Sequence, residues 1–280
     1  MRTKSLLGPF LKSFKSIGIK DLPLVGGKNA SLGEMTQKLK KSVRIPEGFA
    51  ITAHAYRYFL EENGLRAPLQ KILQEKDLTK ASLKARNLFL KAKLPEALIK
   101  SITKGYKRLS THCKTKNLDV AVRSSATAED LPGASFAGQQ ESYLHIRGIK
   151  KLLHACKHCF ASLFTERAII YRNKQGFDHF DVALSIGVQK MVRSDKASSG
   201  VIFTLDTESG FRNVVFITGS YGVGESIVQG SVNTDEFYVF KPTKKLIYKQ
   251  MCEKSIRIMQ GKQAPTPVRL LKRFCITDKE

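Results

Sequence analysis

Three segments of this sequence spend glycines and small polar residues where a hydrophobic core has no use for them. The first is Val25-Gly26-Gly27-Lys28-Asn29-Ala30-Ser31. Glycines let backbone N–H groups approach an anion, and a helix starting here would point its positive end the same way. Lys28 would add a mobile point charge for a phosphate oxygen. The Gly-x4-Gly-Lys-Ser/Thr spacing of a Walker A loop is absent, and a tight turn before a surface helix fits these residues equally well. The second segment runs from Val122-Arg123-Ser124-Ser125 through Leu131-Pro132-Gly133-Ala134 to Gln139-Gln140-Glu141. Arg123 leaves a short apolar stretch that reads as a buried strand, which would present the guanidinium at a strand end for bidentate contact with phosphate oxygens. The hydroxyls and glycines after it suit a flexible cover over a polyphosphate. A structural Arg–Glu pair in a long connection is the plainer alternative, but long patterned loops in compact domains are usually functional. The third is Ser220-Tyr221-Gly222-Val223-Gly224-Glu225, where Glu225 could accept a ribose hydroxyl or approach a metal-bound phosphate. A lone Gly-x-Gly decides nothing by itself.

A fourth cluster, His154 with Cys156-Lys157-His158-Cys159, raises the question of zinc. Leu152, Leu153, Cys156, Cys159, Phe160, Leu163 and Phe164 recur at helical spacing, so both thiols fall on an apolar face and core packing is expected. No second ligand pair follows. The 5 cysteines are irregularly spaced and no secretion signal precedes them, which argues against a disulfide framework.

The elements that must hold these segments can be read from periodicity. Leu32, Met35 and Leu39 stripe a helix after the first glycine turn, and a strand follows over 45–52. Residues 53–116 read as helices, with Leu69, Ile72 and Leu73 on one and Leu83, Leu88 and Leu90 on the next. Strands are predicted at 120–122 and 143–146, then one long amphipathic helix over 149–172. Val182, Leu184, Ile186 and Val188 alternate as a half-buried strand does. Further strands are predicted at 201–205, 214–218 and 237–240, and residues 260–267 read as a loop. This is an α+β pattern, helix-rich in front and strand-rich behind, with two lobes and a cleft between them expected.

The 280 residues carry a formal net charge of +24, which favours anionic partners such as nucleotides and acidic metabolites. The lysines and arginines are spread along the chain without aromatic interleaving, so nucleic acid is not expected as a specific partner. No apolar run is long enough for a membrane span, and the basic N-terminus lacks a signal-peptide core; a cytoplasmic protein is the default expectation.

At the level of motifs the sequence resembles a known family. Val25-Gly26-Gly27-Lys28-Asn29-Ala30-Ser31-Leu32-Gly33-Glu34-Met35 resembles the opening of the PEP/pyruvate-binding N-terminal domain shared by phosphoenolpyruvate synthases and pyruvate phosphate dikinases. Ala121 to Asp130, continuing through Ser135-Phe136-Ala137-Gly138-Gln139-Gln140-Glu141, resembles the synthase branch in particular, as do Met191-Val192-Arg193-Ser194-Asp195 and Asp206-Thr207-Glu208-Ser209-Gly210. The resemblance implies an ATP-grasp-like two-lobed fold divided as an N-terminal extension (1–17), a largely helical front lobe (18–116), a strand-rich nucleotide-binding part (117–250) and a divergent tail (251–280). It implies ATP and Mg2+ as ligands, with Lys28 and Arg123 on the phosphates, Gly133 in the loop closing over them, and Thr204 and Glu225 near the nucleotide. The family's acidic metal segment, phosphohistidine motif and pyruvate-binding barrel are not found before Glu280. The chain is therefore expected to lack the C-terminal part of the fold, to hold no catalytic residue or metal ligand of its own, and to meet pyruvate only through missing domains, carried on a second chain in one version. A non-catalytic nucleotide or anion binder and a fragment of a related dikinase remain the alternatives.

Overall fold

The computed structural model describes residues 9–39, 42–127, 141–254, 256–259 and 262–265. The chain forms two compact units, Met1–Met191 and Val192–Glu280. Strands on both sides of residues 116 and 117 pair into one sheet.

In the first unit β1 (Leu11–Ser13) leads into α1 (Leu22–Lys38) and β2 (Gly48–Ile51). Four helices follow: α2 (Ala53–Glu62), α3 (Arg66–Leu73), α4 (Leu78–Lys91) and α5 (Glu96–His112). Then come β3 (Val120–Ala126), β4 (Ser142–Ile146), α6 (Ile149–Ser162), α7 (Glu166–Gln175) and β5 (Leu184–Lys190). The strands form an antiparallel sheet in the order β1-β2-β5-β3-β4, so the last strand to arrive is the central one.

The two faces of this sheet are built differently. Val120, Val122, Leu184, Ile186, Val188, Phe49 and Ile51 face the main core, which the helices after β2 complete. Tyr56, Phe59, Phe89, Phe160 and Phe164 stack there, with Phe89 and Phe164 at a centroid separation of 5.1 Å. Each such ring or aliphatic chain withdrawn from water contributes about 1.5–3 kcal/mol. The opposite face carries Ser125, Ser185 and Gly187 and is covered by α1, with Phe14, Ile17, Val25, Ala30 and Ala50 as a small second core. β5 is consequently buried on both faces and not on one.

Two local readings change and a third holds. Of the stripe Leu32, Met35 and Leu39, Leu32 packs half-buried against the second core and Leu39 is exposed; the fully buried positions of α1 are Val25, Gly26, Gly27, Asn29, Ala30 and Gly33. Close approach to the sheet selects small residues over large ones. The single helix expected over 149–172 is two, because Thr165 takes an extended conformation (φ −63°, ψ 151°) and its Oγ1 accepts from the N–H of Ala168 at 3.4 Å, capping α7. Cys156 and Cys159 lie in the main core as helical spacing requires, and burial pushes both thiols up from their ordinary pKa.

The second unit is an antiparallel meander of β6 (Ser198–Phe203), β7 (Val214–Tyr221), β8 (Asp235–Phe240) and β9 (Lys245–Gln250). A short helix, α8 (Glu225–Val228), sits between β7 and β8. A hairpin of β10 (Ile256–Met259) and β11 (Lys262–Pro265) follows, so the loop expected over 260–267 contains a strand. The whole is a mixture of helices and antiparallel sheets, as an α+β reading expects. No helix among the described residues is long and apolar enough to cross a membrane.

Candidate functional site

The glycine turn is seated on the end of β3. Gly26 breaks α1 with φ 71° and ψ 164°, a conformation essentially reserved for glycine. A Cβ there would stand well inside contact distance of both the carbonyl and the hydroxyl oxygen of Ser125. The turn is tied down by its neighbour Asn29, which is buried. The Asn29 N–H donates to Ser125 Oγ at 3.4 Å, and its Nδ2 donates to Val25 O at 3.0 Å and to Ser185 Oγ at 3.1 Å. Ser185 in turn donates to the carbonyl of Ile51 at 2.7 Å. Gly187 is glycine because a side chain would run into Asn29 Oδ1. Turn, β3, β5 and β2 are thus joined by one buried polar chain, and a fully satisfied network of this kind fixes geometry.

Lys28, in the helical run that follows, is exposed. Arg123 is the exposed residue of β3, while every other position of that strand is buried. Alternation along β3 puts Arg123 on the same face as Ser125, two residues away, and so on the face that carries the glycine turn. In the sheet it lies opposite Gly187 of β5 on one side and Ser142 of β4 on the other. Packing around it lowers its pKa from the ordinary arginine value, yet the guanidinium stays charged. Among the described residues it makes no ion pair. The expected Arg–Glu alternative falls elsewhere: Glu141 lies 3.7 Å from Arg86 and accepts from the hydroxyl of Tyr143.

Gly133 lies outside the described residues. The two anchors of its segment are placed, however. Thr127 is pinned to Ala183 by paired bonds, its N–H donating to Ala183 O at 2.9 Å and its Oγ1 accepting from Ala183 N at 3.1 Å. Glu141 O accepts from Ser124 N at 3.3 Å and from Ser124 Oγ at 3.2 Å.

Thr204 and Glu225 belong to the second unit, and the structure does not bring them together. Thr204 follows β6 beyond the Phe203–Phe216 pair, whereas Glu225 opens α8 just beyond the Ser198–Tyr221 pair. Those pairs sit at opposite ends of one ladder, on the order of 17 Å apart by strand rise. The Thr204 carbonyl accepts from Lys241 Nζ at 2.5 Å, and both residues are exposed. Among the described residues no group of three His, Cys, Asp or Glu could hold a metal ion.

Sequence reasoning missed Asn29, Ser125, Ser185 and Gly187 as the support of the turn. Asn29 and Ser125 stood within the quoted motifs, but their contact spans 96 positions and the one to Ser185 spans 156, beyond any local spacing rule.

Comparison with known proteins bears on this arrangement. Residues 22–280 match the family described as pyruvate phosphate dikinase, AMP/ATP-binding domain. The chain is 48% identical over 292 aligned positions to a phosphoenolpyruvate synthase of Synechocystis, covering 95% of this chain and 36% of the relative. It is 53% identical over 247 positions to the phosphoenolpyruvate synthase of Aquifex aeolicus, covering 86% and 29%. For the Escherichia coli phosphoenolpyruvate synthase the figures are 48% over 270 positions, 92% and 34%. The chain therefore spans about a third of the length of the curated relatives it matches.

Proposed function

Because this chain belongs to the family of the pyruvate phosphate dikinase AMP/ATP-binding domain, we propose that it is the ATP-binding part of a phosphoenolpyruvate synthase and holds the ATP phosphates against the glycine turn on β3. The observation that carries this reading is the pairing of that turn with Arg123, an exposed guanidinium without an ion-pair partner among the described residues, on one face of one sheet. Lys28 supplies a second charge from the helical run that follows the turn. The segment containing Gly133, anchored at Thr127 and Glu141, closes over the phosphates. Thr204 and Glu225, separated by the length of β6, would each meet a different part of the nucleotide. These assignments belong with an ATP-grasp-like arrangement of two lobes.

Phosphoryl transfer asks a protein mainly for positioning and for neutralisation of charge on the transferred group. In this reading Arg123 orients two phosphate oxygens through its fork, and Lys28 follows the charge. The buried Asn29–Ser185 chain keeps the turn from relaxing. The complete reaction converts ATP, pyruvate and water into PEP, AMP and phosphate through a histidine on another domain. This chain alone is an ATP-dependent phosphotransferase part and not a complete catalyst. Mg2+ bound with the nucleotide would supply further charge neutralisation.

The test is calorimetry of ATP·Mg binding to the chain, with and without the remaining portion of a relative, alongside Arg123→Ala. Loss of a charge-assisted bidentate contact weakens binding by about ten- to a hundredfold. Arg123→Ala should do so with unchanged circular dichroism, and pyruvate-dependent AMP should form only when the remaining portion is supplied. Unchanged affinity in Arg123→Ala refutes the site. Tight, steeply salt-dependent binding of short nucleic acids with no ATP effect would instead favour an anion-binding role for the +24 charge.

A further inference from the structure

We propose that His154 and His158 form a two-imidazole site for a late first-row divalent cation (zinc, nickel or copper) at the mouth of a cleft between α6 and β4. The two residues are four apart on α6 and so share one face of the helix. Their Nε2 atoms face each other at 3.2 Å, with ring centroids 4.3 Å apart. Imidazole nitrogens bind zinc at about 2.0–2.1 Å, so one ion shared by this pair would subtend about 100°, between the octahedral and tetrahedral angles.

The site is held from behind. Leu152, Cys156 and Cys159 of the same helix are fully buried, which fixes the rotation of α6 and keeps the two thiols out of reach of the ion. The Tyr143 ring meets the His158 ring edge-on at 5.9 Å and limits its rotation. His154 and His158 both line a cleft of about 430 Å³, together with Tyr143, Ile146, Lys150 and Lys151. The remaining coordination positions would open into that cleft. Lys150 and Lys151 disfavour a bare cation there, and favour one that carries an anionic or hydroxide ligand facing them. Two imidazoles select zinc, nickel and copper over magnesium, which takes oxygen ligands, so this site is chemically distinct from any magnesium that accompanies a nucleotide.

The same 3.2 Å separation also suits a proton shared between two neutral rings. Titration separates the two. The full chain, in excess Mg2+, is titrated with Zn2+ and Cu2+ by calorimetry, and the Cu2+ form is examined by electron paramagnetic resonance. The expected result is one ion per chain, splitting from two imidazole nitrogens, and a loss of affinity of at least about tenfold in each of His154→Gln and His158→Gln taken singly. His112→Gln, which alters the separate contact with Glu47 at 2.7 Å, should change nothing. Both helix positions lie outside the core, and circular dichroism reports that the variants stay folded. No bound ion, a smaller loss in either single variant, or affinity that follows His112 overturns the proposal.

Discussion

At the scale of single residues, Gly26 and Arg123 are opposite kinds of requirement. Gly26 is needed for what it lacks. Its φ of 71° with ψ of 164° costs a residue with a side chain about 1–3 kcal/mol, and a Cβ would also collide with Ser125. Gly26→Ala should therefore lower the unfolding free energy by at least about 1–3 kcal/mol and weaken ATP binding along with it. Denaturant unfolding checks the first and calorimetry the second; full stability in the variant would mean that the turn can be re-formed without glycine. In the proposed site Arg123 acts through its charge and fork, so Arg123→Lys should recover only part of what Arg123→Ala loses, because an ammonium cannot bind two oxygens in the same planar geometry.

Among the elements, the entry to β2 is fastened by electrostatics that respond to pH. Glu47, just before β2, accepts from Lys15 Nζ at 2.8 Å and meets His112 Nε2, at the end of α5, at 2.7 Å. Burial works to raise its pKa, but the hydrogen bonds and charges of Lys15 and His112 outweigh burial and leave it below the ordinary 4.5. A carboxylate with a depressed folded-state pKa stabilises above its unfolded value, and that contribution disappears as pH falls through the folded value. The groups are partly solvated, so the effect is about 1 kcal/mol or less. Glu47→Gln should thus lower thermal stability at pH 7 by a few degrees at most and leave it unchanged under acid conditions below the carboxylate's own titration. A variant equally destabilised at both pH values would show that the side chain acts by packing.

For the molecule as a whole, the two units should differ in how firmly their sheets are held. β3 and β5 have main-core packing on one face and α1 on the other, with every β5 position before Lys190 buried. In the second unit β9 is exposed along its whole length, and Ile202, Phe203, Ile247 and Tyr248 remain open to solvent. Backbone hydrogen bonds under little apolar cover open locally at low free-energy cost. Hydrogen exchange should be slowest in β3 and β5 and distinctly faster in β6 and β9; equal protection across both sheets would contradict this. Nucleotide binding at the glycine turn should slow exchange in α1 and β3 first.

The motifs around Lys28 and Arg123 were legible in the sequence because they are contiguous, and so were most helices and strands, since the alternation of Val182, Leu184, Ile186 and Val188 and the helical spacing of Cys156 and Cys159 are local patterns. What local pattern could not reveal is which face is covered. The stripe on α1 pointed to Leu32, Met35 and Leu39, yet the fully buried positions are mostly small ones, because the backbone of Gly26 comes to rest on Ser125 and Asn29 reaches Ser185. Both partners lie far off in the chain and depend on β5 inserting between β2 and β3. The break at Thr165 turned on a cap competing with an apolar periodicity that ran through it. The types and order of the residues that can do chemistry were therefore set by sequence alone. The convergence of the glycine turn and Arg123 on one face of one sheet, and the separation of Thr204 from Glu225 along β6, were decided by strand pairing, which joins residues that no spacing rule connects.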